Sequence, residues 1–461
     1  MAYLCIRSQM PYVLDPERQG VPASFWGRTY VYTVEAVEER VIGVIADLTE
    51  DWDVELEGGM NSGTTMVGDV GFASIDFIQM AVAIESEFKT KLGFQDLLMQ
   101  AGKYVDDVTV RQIAQFVAER LNNGVPAAPA APAATDPQRV TSVPEEQRVT
   151  ATKLATFRRR FPVRDLADDG TPKNERAVFV LSPPRSGSTL LRILLAGNSK
   201  LFAPPELHLL PYRTMADRRR ALEGAHTDHL LEGTARALMH LKGWSAEQSL
   251  AFVADCERQG MTTKAFYREL QAPLQGERLL VDKTPWYIVD VDILKRVERD
   301  FVDPLYIHLV RHPLGMVRSY EESSMQRLLP PTATQEGGYG SRELAELTWL
   351  LAQQNTLEIS KQVPAERWLQ VQYEQLVVEP EAVLRRICGF AGIPYESAMV
   401  NPYDDMDRMT DGVATASRMS GDLKFHLHNA INPDAAVRWK RFYSEDVLGR
   451  ETRELAAALG Y

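Results

Sequence analysis

Ser182-Pro-Pro-Arg-Ser-Gly-Ser-Thr189 follows the apolar run Ala177-Val-Phe-Val-Leu181 and leads into Leu190-Leu-Arg-Ile-Leu-Leu195. That order reads as strand, loop and helix, with the loop at the helix N-terminus. Free backbone N–H groups and the positive end of the helix dipole would face whatever sits there, so the loop is an anion site. Arg185, Ser186, Ser188 and Thr189 add side-chain donors, and Gly187 relaxes the backbone. A triphosphate loop of the Gly-x-x-x-x-Gly-Lys-Ser/Thr type needs a Lys after its second glycine. Here Ser188 follows Gly187, and Ser182 stands where the first glycine would be, so a single phosphate or a phosphosulfate fits better.

Three further segments supply chemistry. Pro304-Leu-Tyr-Ile-His-Leu-Val310 reads as a second buried strand, and Pro313 sits where the next helix would start. Arg311 then stands at the strand end and Ser319 about two turns into the helix, so both would close on one phosphate. Ala203-Pro-Pro-Glu-Leu-His-Leu-Leu210 offers Glu206 and His208, which share a face if the segment is extended. His208 is the candidate base, since a neutral imidazole near pH 7 suits proton removal, and Glu206 would orient it or take over. Val281-Asp-Lys-Thr-Pro285 reads as a third strand end facing the same cleft. Lys283 would bind a transferred or bridging oxygen and Arg185 would stabilise charge on a leaving phosphate. The plainer alternative for Lys283 is a surface ion pair with Asp282. Of the eight histidines, His308 inside a strand and His312 beside Arg311 are expected to be structural or accessory.

These segments, in this order, resemble the sulfotransferase superfamily, whose members use 3′-phosphoadenosine-5′-phosphosulfate and release adenosine 3′,5′-bisphosphate. The resemblance spans roughly 150–461 and implies a P-loop-like three-layer α/β sandwich with a parallel sheet. It implies that the 182–189 loop holds the 5′-phosphosulfate, and that Arg311 and Ser319 hold the 3′-phosphate. Pro-Pro-Glu-Leu-His-Leu resembles a segment that carries the catalytic base in bacterial members. Ser417-Arg-Met-Ser-Gly-Asp-Leu-Lys424 resembles the loop that covers the adenosine, with Lys424 as the binding residue. Arg367 to Leu376 and Leu384 to Ile393 resemble the family's strand, Tyr-Glu-x-Leu turn and amphipathic helix, and are expected to serve the fold.

The rest of the chain sets the boundaries. At 461 residues, 45% apolar and 25% charged, two or more folded units are expected. Residues 1–34 are an unassigned N-terminal extension. Between Glu35 and Arg120, 17 acidic residues stand against 6 basic ones, a net of −11 out of the whole chain's −12. Apolar residues recur at helical spacing from Glu35 to about Asp51, from Gly68 to about Phe88 and near Val108 to Leu121. This acidic three-helix pattern over 35–122 resembles an acyl carrier protein, an all-α helical bundle with 4′-phosphopantetheine on a Ser at the start of its second helix. Ser74 in Gly71-Phe-Ala-Ser-Ile75 is the match, with Ala73 where many carriers have Asp. The alternative is that Ser74 is simply a helix cap.

Residues 123–150 hold the Val125–Pro137 run of Pro and Ala, which reads as a semi-rigid tether, and 151–461 form the second unit. Arg158 to Arg160 and Arg164 just beyond would receive an acidic carrier. The three cysteines are far apart and suggest neither disulfides nor zinc, and no metal is called for. The charge argues against nucleic acid, and the absence of a leader or a long apolar run argues against a membrane, so a cytoplasmic protein is expected.

A carrier joined to a sulfotransferase resembles the curacin-type modules of polyketide synthases. That implies sulfation of the β-hydroxyl of a carrier-bound acyl chain. It also implies a phosphopantetheinyl transferase as partner, and a downstream thioesterase on another chain that releases a terminal alkene. Two other readings stay open: sulfation of a free small-molecule hydroxyl, and a non-catalytic carrier and nucleotide-binding module.

Overall fold

In this computed structural model the described residues are 32–49, 59–70, 72, 74–100, 103–105, 107–124, 139–161, 166–223, 227–322, 338–403, 408, 413 and 430–461. Lys424, Arg164 and the Val125–Pro137 run lie outside them.

Five strands, β1 (Ala177–Leu181), β2 (Leu201–Phe202), β3 (Leu279–Lys283), β4 (Leu305–Val310) and β5 (Trp368–Gln372), form one sheet in the order β2-β3-β1-β4-β5. Every neighbouring pair is parallel. Parallel strands need long crossovers, and the helices in those crossovers bury both sheet faces, which is why β1 and β4 are mostly apolar runs rather than alternating ones. Ala177, Phe179 and Leu181 face one core with Leu207, Phe266, Tyr267 and Leu294. Val178 and Val180 face another with Leu191, Leu194, Leu384 and Ile387. The expected three-layer α/β arrangement is therefore present. Each fully buried Leu, Ile, Val or Phe in these layers contributes about 1.5–3 kcal/mol.

Val180 lies opposite both Lys283 and Ile307, so β1 and β3 end within one residue of each other while β4 runs on to Val310. The chain runs from β1 outward on one side to β2 and β3, then crosses to the other side of β1 for β4 and β5. A sheet that reverses its winding in this way opens a crevice at the strands' C-terminal ends.

Two details differ from expectation. Residues 139–150 were expected in the tether, yet Val140 N–H donates to the Phe442 carbonyl, Arg148 reaches the Asp446 carbonyl, and Val149 is buried in the core around Trp349. They pack on the larger unit because their backbone finds partners there. The Tyr-Glu-x-Leu segment is a helix, Tyr373–Val378, rather than a turn.

Residues 34–123 carry the helices Val34–Leu48, Ser74–Phe88 and Val110–Asn123, with a short helix at Gln95–Leu98. Val37, Val41, Ile45, Met80, Ile84, Ile113 and Val117 meet in a core of their own. Thr109 caps the last long helix in a reciprocal box with Gln112. The second helix begins at Ser74; its side chain lies outside the described residues.

Two histidines are buried as neutral rings. His308 Nε2 donates to Gln353 Oε1 at 2.7 Å, and burial pulls its pKa down to about 4. His312 stacks on Trp439 with ring centroids 4.0 Å apart, its Nδ1 accepting from Leu314 N–H. Burial first, then the charges of Lys440 and Arg311, lower its pKa to about 3. Both rings take up protons near pH 6.5 once unfolded, so the unfolded state binds more protons between pH 6.5 and 4 and stability falls as pH falls. His308 alone accounts for about 3 kcal/mol by pH 4. Unfolding midpoints measured from pH 7.5 to 4.5 are expected to drop, with a shallower slope in His308→Gln, whose amide does not titrate.

Candidate functional site

The loop after β1 is built by two left-handed residues, Arg185 (φ 65°) and Gly187 (φ 85°). Backbone of this kind turns successive N–H groups inward and forms anion-binding nests. The helix Ser188–Ala196 starts at Gly187 with no side-chain cap, so its first amides face the loop. Ser182 and Ser186 are fully buried, and their hydroxyls have no hydrogen-bond partner among the described residues. Buried polar atoms are almost always satisfied, so unpaired hydroxyls in an amide nest point to a bound anion.

The loop and the segment after β4 are tied together. Arg185 Nε donates to Ser319 Oγ at 3.1 Å, and Arg311 Nη1 donates to the Arg185 carbonyl at 2.7 Å. Pro313 starts the helix Pro313–Glu322 as expected, which places Ser319 beside Arg185. Trp349 Nε1 holds the Arg311 carbonyl at 2.9 Å, and Arg311 Nε is buried without a partner. Of the sequence-predicted residues, Arg185, Ser186 and Gly187 thus form one loop against which Arg311 and Ser319 are held, and Ser188 and Thr189 open the helix that follows.

Glu206, His208 and Lys283 converge from the other side. Lys283 Nζ donates to Glu206 Oε1 at 2.5 Å, and His208 Nε2 lies 3.3 Å from Glu206 Oε2, although no hydrogen bond closes between them. All three are at most 4% exposed. The segment is not simply extended: His208 adopts φ 49°, the left-handed region that non-glycine residues avoid. The surface ion pair between Lys283 and Asp282 does not form; on a strand the two alternate faces, and Asp282 is directed to Tyr267, Tyr287 and Thr284. Burial by itself would raise the Glu206 pKa, but the Lys283 charge and then His208 outweigh it and hold the carboxyl below its ordinary range. A carboxylate held below its ordinary range is a weaker proton acceptor, while its distance to the His208 ring would let it orient that ring.

Sequence reasoning missed Tyr373 and Glu374, expected to serve only the fold. The Tyr373 ring lies under the loop: a Cβ on Gly187 would stand 2.2 Å from its Cδ2. The same ring carries the Arg311 guanidinium 4.2 Å from its centre. Glu374 accepts from His312 N–H at 3.0 Å and from the Tyr461 hydroxyl at 2.6 Å. Their signal was the position of Tyr-Glu directly after a strand whose neighbour ends in Arg311. No cluster of metal-ligating side chains occurs among the described residues. None of the described helices is long and apolar enough to cross a membrane.

A family model described as the sulfotransferase family matches residues 177–397. Among solved structures, the sulfotransferase domain from the curacin biosynthetic pathway is 39% identical, the match covering 63% of this chain and 99% of that one, with a TM-score of 0.58. The sulfotransferase domain from the Synechococcus PCC 7002 olefin synthase is 38% identical over 65% of this chain and 99% of that one, with a TM-score of 0.57. Protein-tyrosine sulfotransferase A of Caenorhabditis elegans is 22% identical, over 61% of this chain and 66% of its own length. The chain spans about a third to two thirds of the length of the curated relatives it matches.

Gly187→Ala meets both a strained φ and the Tyr373 ring, and is expected to cost about 1–3 kcal/mol in stability. Denaturant unfolding checks this. Tyr373→Ala in the same chain should recover the steric part of the loss, leaving the part due to φ.

Proposed function

Because the chain belongs to the sulfotransferase family and is a transferase enzyme, we propose that it moves a sulfuryl group from 3′-phosphoadenosine-5′-phosphosulfate to the β-hydroxyl of an acyl chain carried on phosphopantetheine. The observation that carries this reading is the buried Glu206, His208 and Lys283 cluster at the same sheet edge as an amide nest with unpaired Ser182 and Ser186 hydroxyls. The donor's two phosphate ends fit the two halves of the site: the nest with Arg185 suits the phosphosulfate, and Arg311 with Ser319 suits the 3′-phosphate. Lys424 would close over the adenosine.

In this reading His208 takes the acceptor hydroxyl's proton as that oxygen bonds to sulfur. The bond between sulfur and the bridging phosphate oxygen breaks, and adenosine 3′,5′-bisphosphate leaves. Glu206 stabilises the imidazolium that forms. Lys283, whose ammonium has three donors, receives the charge that builds on the bridging oxygen, with Arg185 on the phosphate beside it. Burial of the cluster keeps these interactions in a low dielectric, where they are stronger than in water.

The acceptor assignment draws on the curacin and olefin synthase domains that the chain resembles, together with the acidic helical unit upstream. Residues 35–122 are the carrier in this proposal, Ser74 its attachment site, 123–138 the tether and 139–461 the transferase. Phosphopantetheine attached by a phosphopantetheinyl transferase would supply a flexible thioester arm, and the tether would hold it at high effective concentration. A thioesterase that hydrolyses the sulfated thioester, with loss of carbon dioxide and departure of sulfate from the β-carbon, would give a terminal alkene.

Loading the full-length protein with β-hydroxyacyl phosphopantetheine groups of varied length, then adding the phosphosulfate donor, is expected to give a sulfated thioester by intact-protein mass spectrometry. Ser74→Ala should abolish both the added arm and the product. Sulfation of free alcohols with no dependence on Ser74 would favour a small-molecule acceptor instead. His208→Ala should bind adenosine 3′,5′-bisphosphate as the parent does while losing roughly 100-fold or more in turnover. Retained turnover would reject His208 as the base.

A further inference from the structure

The backbone around His208 is gripped from behind by a buried carboxylate that the transfer chemistry does not use. Asp282 is 1% exposed and, among the described residues, has no ion pair. A buried carboxylate in that state persists only where hydrogen bonds replace its lost hydration. Three hydroxyls donate to it: Tyr267 at 2.5 Å and Tyr287 at 3.0 Å to Oδ2, and Thr284 at 3.0 Å to Oδ1.

Two of those hydroxyls also face the segment that carries the base. The Tyr287 oxygen accepts from Leu209 N–H at 3.0 Å, and Thr284 Oγ1 accepts from His208 N–H at a longer 3.5 Å. A hydroxyl has one proton and two lone pairs. The amides can only donate, so each hydroxyl accepts from its amide with a lone pair and gives its proton to Asp282, and the carboxylate anchors both hydroxyl oxygens where the amides of 208 and 209 meet them. On the other flank Arg218 Nε donates to the Leu207 carbonyl at 3.0 Å. Consecutive residues 207 to 209 are therefore held on both sides, at the position where His208 has the strained φ of 49°. Strain of this kind survives only where the surroundings over-determine it.

We infer that Asp282 is a positioning residue for sulfuryl transfer: acting through the Thr284 and Tyr287 hydroxyls, it holds the left-handed turn that aims the His208 imidazole at Glu206 and the cleft. This rests on the reading of His208 as the base. The end of β3 then does two jobs from adjacent residues, Lys283 fixing the Glu206 carboxylate on one face and Asp282 fixing the His208 backbone from the other. An amide at 282 keeps the size of the side chain but puts an NH2 donor in place of one of the two oxygens that receive hydroxyl protons, so an anchor of the turn is lost and the turn is free to relax.

The test is a double-mutant cycle in the full-length protein, with the acyl thioester that is best turned over above. Asp282→Asn is expected to lower kcat by roughly 10- to 100-fold, the scale of a misplaced catalytic group, while the affinity for adenosine 3′,5′-bisphosphate and the donor KM stay unchanged. In the His208→Ala background the same substitution should change the residual rate little, because its effect passes through His208. An equal loss in both backgrounds, or a weakened bisphosphate affinity, would make Asp282 a general structural residue and overturn the proposal. So would parent-like kcat in Asp282→Asn. If that variant does not fold, Tyr287→Phe, which removes one link, is read by the same measurements and the same criteria. Retained turnover in His208→Ala alone rejects the base, and this inference with it. Lost turnover there beside normal turnover in Asp282→Asn rejects the clamp alone.

Discussion

The ion pair between Lys283 and Glu206 is the constraint on which the catalytic half of the molecule depends. Two charges at most 4% exposed lose their hydration, and mutual attraction repays that loss only when geometry and further hydrogen bonds are good. Lys283 must therefore leave β3 at a fixed height, and the 203–210 connector must run close enough for a 2.5 Å contact. The helix Glu232–Lys242 closes over the same connector: a Cβ on Gly233 would stand 2.1 Å from the Glu206 carbonyl oxygen, so only glycine permits that approach. Breaking the pair from either side would leave an uncompensated charge in the interior, and while the pair stands the Lys283 charge holds the Glu206 carboxyl below its ordinary range in spite of burial.

The nucleotide half is organised by contacts across the sheet rather than by one loop. β1 and β4 are neighbours, so the loops that follow them emerge side by side, and Arg185, Arg311 and Ser319 interlock directly. Beneath them Tyr373, at the end of β5, fills the space that Gly187 leaves and stacks under the Arg311 guanidinium. One aromatic ring thereby couples the backbone of the first loop to the side chain of the second. The two halves meet at the C-terminal ends of β1, β3 and β4, so a ligand spanning both would lie across the winding reversal of the sheet.

Much of this was legible in the residues. Short apolar runs marked β1, β3 and β4, because strands buried on both faces are mostly apolar, with His308 in β4 and Asp282-Lys283 at the end of β3 as the polar exceptions. Pro313 marked a helix start because its fixed φ suits only the first turn. The anion character of the 182–189 loop followed from local chemistry alone, as did the gathering of Arg311 and Ser319 two turns apart. The partner of Lys283 was less legible, since Asp282 is adjacent in sequence while Glu206 is 77 positions away, and strand alternation sends the neighbours to opposite faces. Residues 139–150 looked like tether because their composition is polar, yet they pack where the 440s offer backbone partners.

By itself, then, the amino-acid order marked most strands of the sheet, a loop whose chemistry suits an anion and the residue types available for chemistry, since those follow from short-range periodicity, backbone restriction and side-chain chemistry. Only the tertiary structure decided who pairs with whom: Lys283 with Glu206, Asp282 with two tyrosines and a threonine, Tyr373 with Gly187 and Arg311. It also decided the left-handed turn at His208, a conformation no local preference selects. Such pairings depend on the order and register of strands far apart in the chain, and a one-residue change of register in β3 would send Asp282 and Lys283 each to the opposite face.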